Sequence, residues 1–173
     1  MDGLLLVDGY NVLNAWPEFA ELINEDLDHA RDRLISDLSE FHVLSGLSVL
    51  LIFDAHHVKG GVEKQEERGG IKIIYTKEGE TADQWIERFA AQYRANTQED
   101  KPPLFVSTYD WLEQRIVSAQ GAYRITPSEL RNELLRLKKE EKRFHQPAFD
   151  RVSLDSHLTD QIRKILEGWR RRS

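Results

Sequence analysis

Two runs of large apolar residues in this chain each end on an aspartate: Leu4-Leu5-Leu6-Val7 runs into Asp8, and Val49-Leu50-Leu51-Ile52-Phe53 runs into Asp54. A short continuous apolar run bounded by turn residues reads as a strand buried on both faces, as in parallel sheets. An acid at the carboxyl end of such a strand sits where open α/β sheets place their ligands. Two such acids on neighbouring strands repel each other, and a proton or a metal ion is the usual means of holding them together. Three more acids fall at comparable points, Glu80 and Asp83 around one helix start and Asp110 after a further apolar run. Carboxylates clustered in a chain that has no Cys suit a hard divalent cation, Mg²⁺ or Mn²⁺. Such a cation lowers the pKa of a bound water and neutralises charge on a phosphate ester. Each acid also has an ordinary structural role open to it. Asp8-Gly9 is a turn dipeptide, Asp83 in a first helical turn favours the macrodipole, and Asp110 is a good helix cap. Asn11 can hold a carboxylate or start a helix.

The elements that must position these acids alternate in type. Leu4 to Val7, Ser48 to Phe53, Ile71 to Tyr75 and Leu104 to Ser107 read as strands, and Gly121 to Ile125 as a short edge strand. Helical spacing of apolar residues covers Asp26 to Leu44, with Gly46 as its stop. A second helix opens at Thr81 with Gln84 completing a capping box, and a third starts at Asp110. A fourth starts at Thr126-Pro127-Ser128-Glu129 and runs to about Phe144, and a last amphipathic helix carries Leu158, Ile162, Ile165, Leu166 and Trp169. His56 to Gly70 reads as a polar loop with two glycine pairs. Strands separated by helices imply βαβ crossovers, so the expected fold is a Rossmann-like three-layer α/β sandwich with a central parallel sheet. All strand-to-helix loops then emerge on one side, and the five acids converge there.

Composition excludes several classes. The chain has 173 residues and 40% hydrophobic content, which suits one globular domain with a proper core. With no Cys there is no disulfide and no thiolate chemistry, which fits a cytoplasmic protein. No stretch approaches the roughly 20 apolar residues of a membrane span, and the apolar start, cut by Asp8, reads as a strand and not a signal peptide. The net charge of -6 argues mildly against nucleic acid, but basic residues gather in Arg131 to Arg143 and in Arg163 to Arg172. That asymmetry is compatible with a polyanion held by one face, or with ordinary solvated helix surfaces. Two rival phosphate chemistries fail on the residues. A haloacid-dehalogenase site needs an aspartate where Tyr10 stands, and no G-x-G-x-x-G turn follows a strand.

The motifs together resemble a known family. Asp8-Gly9-Tyr10-Asn11, Phe53-Asp54-Ala55-His56, the stretch Tyr75 to Asp83 with its Glu80-Thr81-Ala82-Asp83 block, Thr108-Tyr109-Asp110 with Glu113-Gln114, and Gly121-Ala122 through Glu129-Leu130 are similar to the YacP-like NYN domains, PIN-like bacterial ribonucleases. The resemblance runs from about Leu4 to Phe144 and departs at Tyr109, where a small residue, usually Ser, is expected. It implies a nuclease domain over residues 1–145, with 146–173 a loop and helix packed on it. It implies a metal-dependent endoribonuclease cutting single-stranded RNA by metal-activated water attack on a phosphodiester, leaving a 5′-phosphate and a 3′-hydroxyl. Asp8, Asp54, Asp83 and Asp110 match the family's catalytic and metal-binding acids, with Asn11 and Glu80 in support. It further implies mRNA on the ribosome as substrate. Lys59, Lys64, Arg68, Lys72 and Lys77 are candidate RNA-backbone contacts, since RNA binding runs on phosphate neutralisation; His56 and His57 are candidates for RNA contact or proton transfer. Alternatives of other classes are a non-catalytic RNA- or ribosome-binding module of the same fold and a nuclease for structured DNA; the absence of an obvious helical arch disfavours the second.

Overall fold

The computed structural model describes residues 3–55, 61–95, 101–109 and 121–145, together with residue 164. Asp110, His56, His57, Lys59, the expected helix after Asp110 and the expected C-terminal helix apart from residue 164 lie outside the described residues.

The apolar runs form the strands expected of them. Strands β1 (Leu4–Asp8), β2 (Ser48–Phe53), β4 (Ile71–Tyr75), β5 (Leu104–Ser107) and β6 (Tyr123–Ile125) lie parallel, and β3 (Lys64–Arg68) pairs antiparallel with β4. The sheet order is β3-β4-β2-β1-β5-β6. The register sets Asp8 beside Ile52 and Val7 beside Ser107, so the carboxyl ends of β2, β1 and β5 form one edge.

Alternation along each strand divides the core in two. Leu5, Val7, Leu51, Phe53, Ile73 and Phe105 face one side. They pack there against α1 (Gly9–Ala15), α3 (Leu27–Ser45) and α5 (Pro127–Phe144). Leu6, Ile52, Ile74 and Val106 face the other side, against Ala82, Trp85, Ile86 and Ala90 of α4 (Ala82–Ala95). A 3-10 turn (Pro17–Phe19) and the short α2 (Leu22–Glu25) join α1 to α3. The Trp16 indole N–H donates to the Pro127 carbonyl at 2.8 Å, tying the α1 exit to the start of α5.

Helix ends follow their capping signals. The Asp26 carboxylate accepts from the His29 amide at the start of α3, and Thr126 and Glu129 form a reciprocal capping box at α5. Thr81 and Gln84 bond each other's backbone amides, each at 3.1 Å, just before α4.

The segment read as a loop differs. Within it, Lys64–Arg68 is a strand, every residue of it exposed. Gly69 and Gly70, at φ 58° and 80°, join it to β4 by a two-residue turn, with Arg68 opposite Ile71. That turn needs positive φ at both central positions, which glycine supplies. The strand is a charged sheet edge, a device that discourages pairing with another chain.

Candidate active site

Asp8 is the last residue of β1 and the N-cap of α1, a helix the apolar pattern does not announce. Gly9 is needed here for close approach: a Cβ on it would lie 2.3 Å from the Phe53 ring. Asn11, one turn into α1, holds Asp8 twice. Its backbone amide donates to Oδ1 at 3.1 Å and its side-chain amide to Oδ2 at 2.7 Å. The same Asn11 Nδ2 reaches Thr108 Oγ1 at 3.3 Å, linking the ends of β1 and β5. Asp8 is only 5% exposed.

Asp83, in the first turn of α4, comes within hydrogen-bonding reach of Asp8 across the sheet edge. Burial pushes the Asp8 carboxyl up to about 7; the Asp83 hydrogen bond and the nearby charges of Asp83 and Asp54 act in the same direction, against the lowering effect of the Asn11 amide. Asp8 therefore holds a proton near neutrality that an ordinary aspartate has lost. Asp54, just beyond β2, accepts from the Ala82 backbone N–H, so a carboxylate from β2 caps α4. The helix-start role foreseen for Asp83 at α4 is thus shared by Asp54. Thr76 braces the same corner: its hydroxyl donates to the Glu80 carbonyl at 2.7 Å and accepts from the Ala55 amide at 3.2 Å.

The sheet edge thus brings together Asp8, Asp54, Asp83 and Asn11, while Asp110 lies outside the described residues. Glu80 is engaged elsewhere. Its Oε1 meets Arg88 at 2.9 Å, and Arg88 lies 3.6 Å from Glu63, which accepts from the Trp85 indole. Among the described residues, no three His, Asp or Glu are grouped closely enough to hold a metal ion. The donor chemistry nevertheless suits one. Burial and the neighbouring Asp83 and Asp54 hold the Asp8 carboxyl toward its neutral form, and a dication at this edge would favour the ionised one. Ser107 Oγ, at the end of β5 beside Val7, is buried without a hydrogen-bond partner among the described residues.

The structure separates the candidate RNA contacts. Lys64 lies opposite Tyr75 at the acid edge, and exposed Lys77 follows β4 there. Lys72 and Arg68 sit toward the other end of the sheet, and Arg68 pairs with Asp32 at 2.9 Å. Lys59 lies outside the described residues. Much of the basic run in α5 is neutralised locally: Arg131 meets Glu18 at 2.8 Å, Arg136 meets Glu133 at 2.6 Å, and Lys138 meets Glu40 at 2.6 Å. Tyr109 turns to α5, its hydroxyl 2.8 Å from Ser128 Oγ. Sequence reasoning does not foresee the roles of Thr76 and of the Ala82 amide; the strand-end position of Thr76 is the one available signal.

An acid-edged, mostly parallel sheet flanked by helices is a PIN-like nuclease fold. Residues 5–171 match the family model for the YacP-like NYN domain, and the chain belongs to that family. It is 36% identical over 170 residues to the uncharacterized protein YacP of Bacillus subtilis (strain 168), covering 97% of this chain and 96% of the relative. The crystal structure of Rae1 (YacP) from Bacillus subtilis is similar at 34% identity and a TM-score of 0.66, over 97% of this chain and 94% of that one. A tryptophan-to-leucine mutant of the same Bacillus subtilis protein matches at a TM-score of 0.68 and 28% identity, over 95% of this chain and 99% of that one.

Proposed function

We propose that this protein is a divalent-metal-dependent endoribonuclease that cuts single-stranded RNA, with mRNA on the ribosome as the substrate. One observation carries the reading: Asp8 is buried at a sheet edge, oriented by Asn11 and with its carboxyl pushed up beside Asp83, in a PIN-like nuclease fold. A buried acid pushed toward its neutral form beside other carboxylates is costly to keep, and such groups concentrate at functional sites.

Asp8, Asp54, Asp83 and Asp110 would hold Mg²⁺ or Mn²⁺. The ion supplies a more acidic water and neutralises phosphate charge. The protein's own groups do the rest. Asn11 fixes the direction of both Asp8 oxygens. The Ala82 amide fixes Asp54, and through it the start of α4 and Asp83. Lys64 and Lys77 lie at the same edge, where a phosphate backbone would pass. Water attack at phosphorus then leaves a 5′-phosphate and a 3′-hydroxyl. We read residues 1–145 as the nuclease unit and 146–173 as packed on it; the family match through residue 171 supports one unit. A cytoplasmic setting is supported by the lack of Cys. Among the described residues no helix is long and apolar enough to cross a membrane.

A second reading is a non-catalytic RNA- or ribosome-binding module of the same fold. One comparison separates the two. Wild type and Asp8→Asn are incubated with RNA and Mn²⁺, with and without ribosomes, and again with EDTA. The nuclease reading expects cleavage by wild type alone, abolished by EDTA. Binding without cleavage in every condition would establish the module.

A further inference from the structure

On the α1/α3 side of the acid edge lies a cleft of about 360 Å³ that the proposed chemistry touches only at Asp54 and Lys64. Its walls include Tyr10, Arg31, Asp54, Val62, Lys64 and Tyr75. The aromatic wall is built on Phe53. Tyr10 meets that ring edge-on at 5.3 Å between centroids, Tyr75 stacks on it at 5.9 Å, and the Arg31 guanidinium lies 6.0 Å from its centre. Arg31 is anchored at one end by Asp28, 3.2 Å away, while its Nε is buried without a hydrogen-bond partner among the described residues. The Tyr75 hydroxyl donates to Glu66 at 3.3 Å.

We propose that this cleft binds one unstacked nucleobase of the RNA beside the cleaved phosphodiester and sets the base preference of the cut. The inference rests on the RNA reading above and adds a subsite to it. Three features select a base. The size lies at the lower end of the range for small-molecule sites, enough for one nucleoside and too small for a folded partner. The chemistry is that of a flat heterocycle: ring surfaces on one wall, with an arginine, a lysine and carboxylates at the edges. Single-strand binders commonly pair aromatic stacking with such polar edges. The position is the third feature. Asp54 both lines the cleft and bonds the Ala82 amide at the start of α4, so an occupant lies next to the acid site.

The test uses the full chain and two measurements. In the first, an RNA that wild type cuts is made with an abasic ribose on either side of the mapped bond. The readout is the ratio of kcat/KM between base-bearing and abasic RNA. Stacking of one base predicts a ratio of roughly tenfold or more for wild type. It should fall to about one in Tyr75→Leu and in Arg31→Met. A purely structural defect lowers both substrates alike and leaves the ratio standing, which would overturn the proposal. If Arg31→Met does not fold, Arg31→Lys keeps the charge, removes Nε and serves in its place. The second measurement needs no cleavage. The four nucleoside 5′-monophosphates and ribose 5-phosphate are titrated in EDTA, followed by isothermal titration calorimetry. At least one nucleotide should bind about tenfold tighter than ribose 5-phosphate, and Tyr75→Leu should remove the difference. If wild type cuts no RNA yet this selectivity holds, the nuclease reading fails and the base cleft stands. If cleavage occurs with no selectivity in either measurement, the cleft proposal fails and the nuclease stands.

Discussion

Asp8 is a buried acid kept at a cost to stability. Its carboxyl is raised from the ordinary aspartate value of 3.8 to about 7 in the fold. Between about pH 4 and pH 7 the folded protein keeps a proton that the unfolded chain has released. Without metal, stability therefore falls as pH rises through that window, by up to roughly 1.4 kcal/mol per pH unit, and levels off above it. Asp8→Asn removes the titration and retains the capping chemistry. In EDTA the variant should melt above wild type at pH 8, and the gain should vanish near pH 4. Thermal melts across that range check it, and a difference independent of pH would contradict it. Asn11 acts through Asp8, as a positioning residue. Asn11→Ala should weaken Mn²⁺ affinity by about 10–100-fold, the usual cost of losing a group that orients a ligand. Activity at saturating Mn²⁺ should change much less, so the split between metal affinity and kcat separates positioning from general damage.

At the scale of elements, the site depends on where β1 hands over to α1. Gly9 lets the first turn of α1 settle against Phe53. Gly9→Ala should destabilise the fold by roughly 1–3 kcal/mol through overpacking, measurable by urea denaturation. Because the displaced turn carries Asn11, the same variant should also weaken metal binding. The four apolar strands and the long helices are legible in the sequence, since burial on both faces leaves a continuous apolar run and capping residues mark helix ends. α1 is not legible, because its seven residues are too few for periodicity and its start coincides with the acid motif. β3 escapes the pattern because Lys64–Arg68 has no apolar residue to alternate; the Gly69-Gly70 pair is the available hairpin signal. Convergence of Asp8, Asp54 and Asp83 follows from topology alone. The raised Asp8 carboxyl and the engagement of Glu80 by Arg88 do not, because they depend on side-chain directions that no spacing rule encodes.

For the whole molecule, the question is how a chain of net charge -6 engages a polyanion. Most of the described α5 cations in ion pairs face acids of the same helix or of its neighbours, whereas Lys64 and Lys77 remain at the acid edge. Lys64→Ala and Lys77→Ala should each weaken single-stranded RNA binding and lower the slope of log K against log salt by about 0.7 for each phosphate left without its cation. Lys72→Ala, toward the far end of β4, should leave that slope unchanged. Equal effects from all three would mean that RNA crosses the sheet rather than its edge. The central claim is that the Asp8 carboxylate serves a metal-dependent cut in RNA. Its most direct test is the rate of RNA cleavage as a function of Mn²⁺ concentration, for wild type and Asp8→Asn. The expected result is a saturable Mn²⁺ dependence in wild type and a rate at least about 100-fold lower in the variant, beyond the loss typical of a merely supporting residue. Equal rates in the two proteins, or cleavage that persists in EDTA, would contradict it.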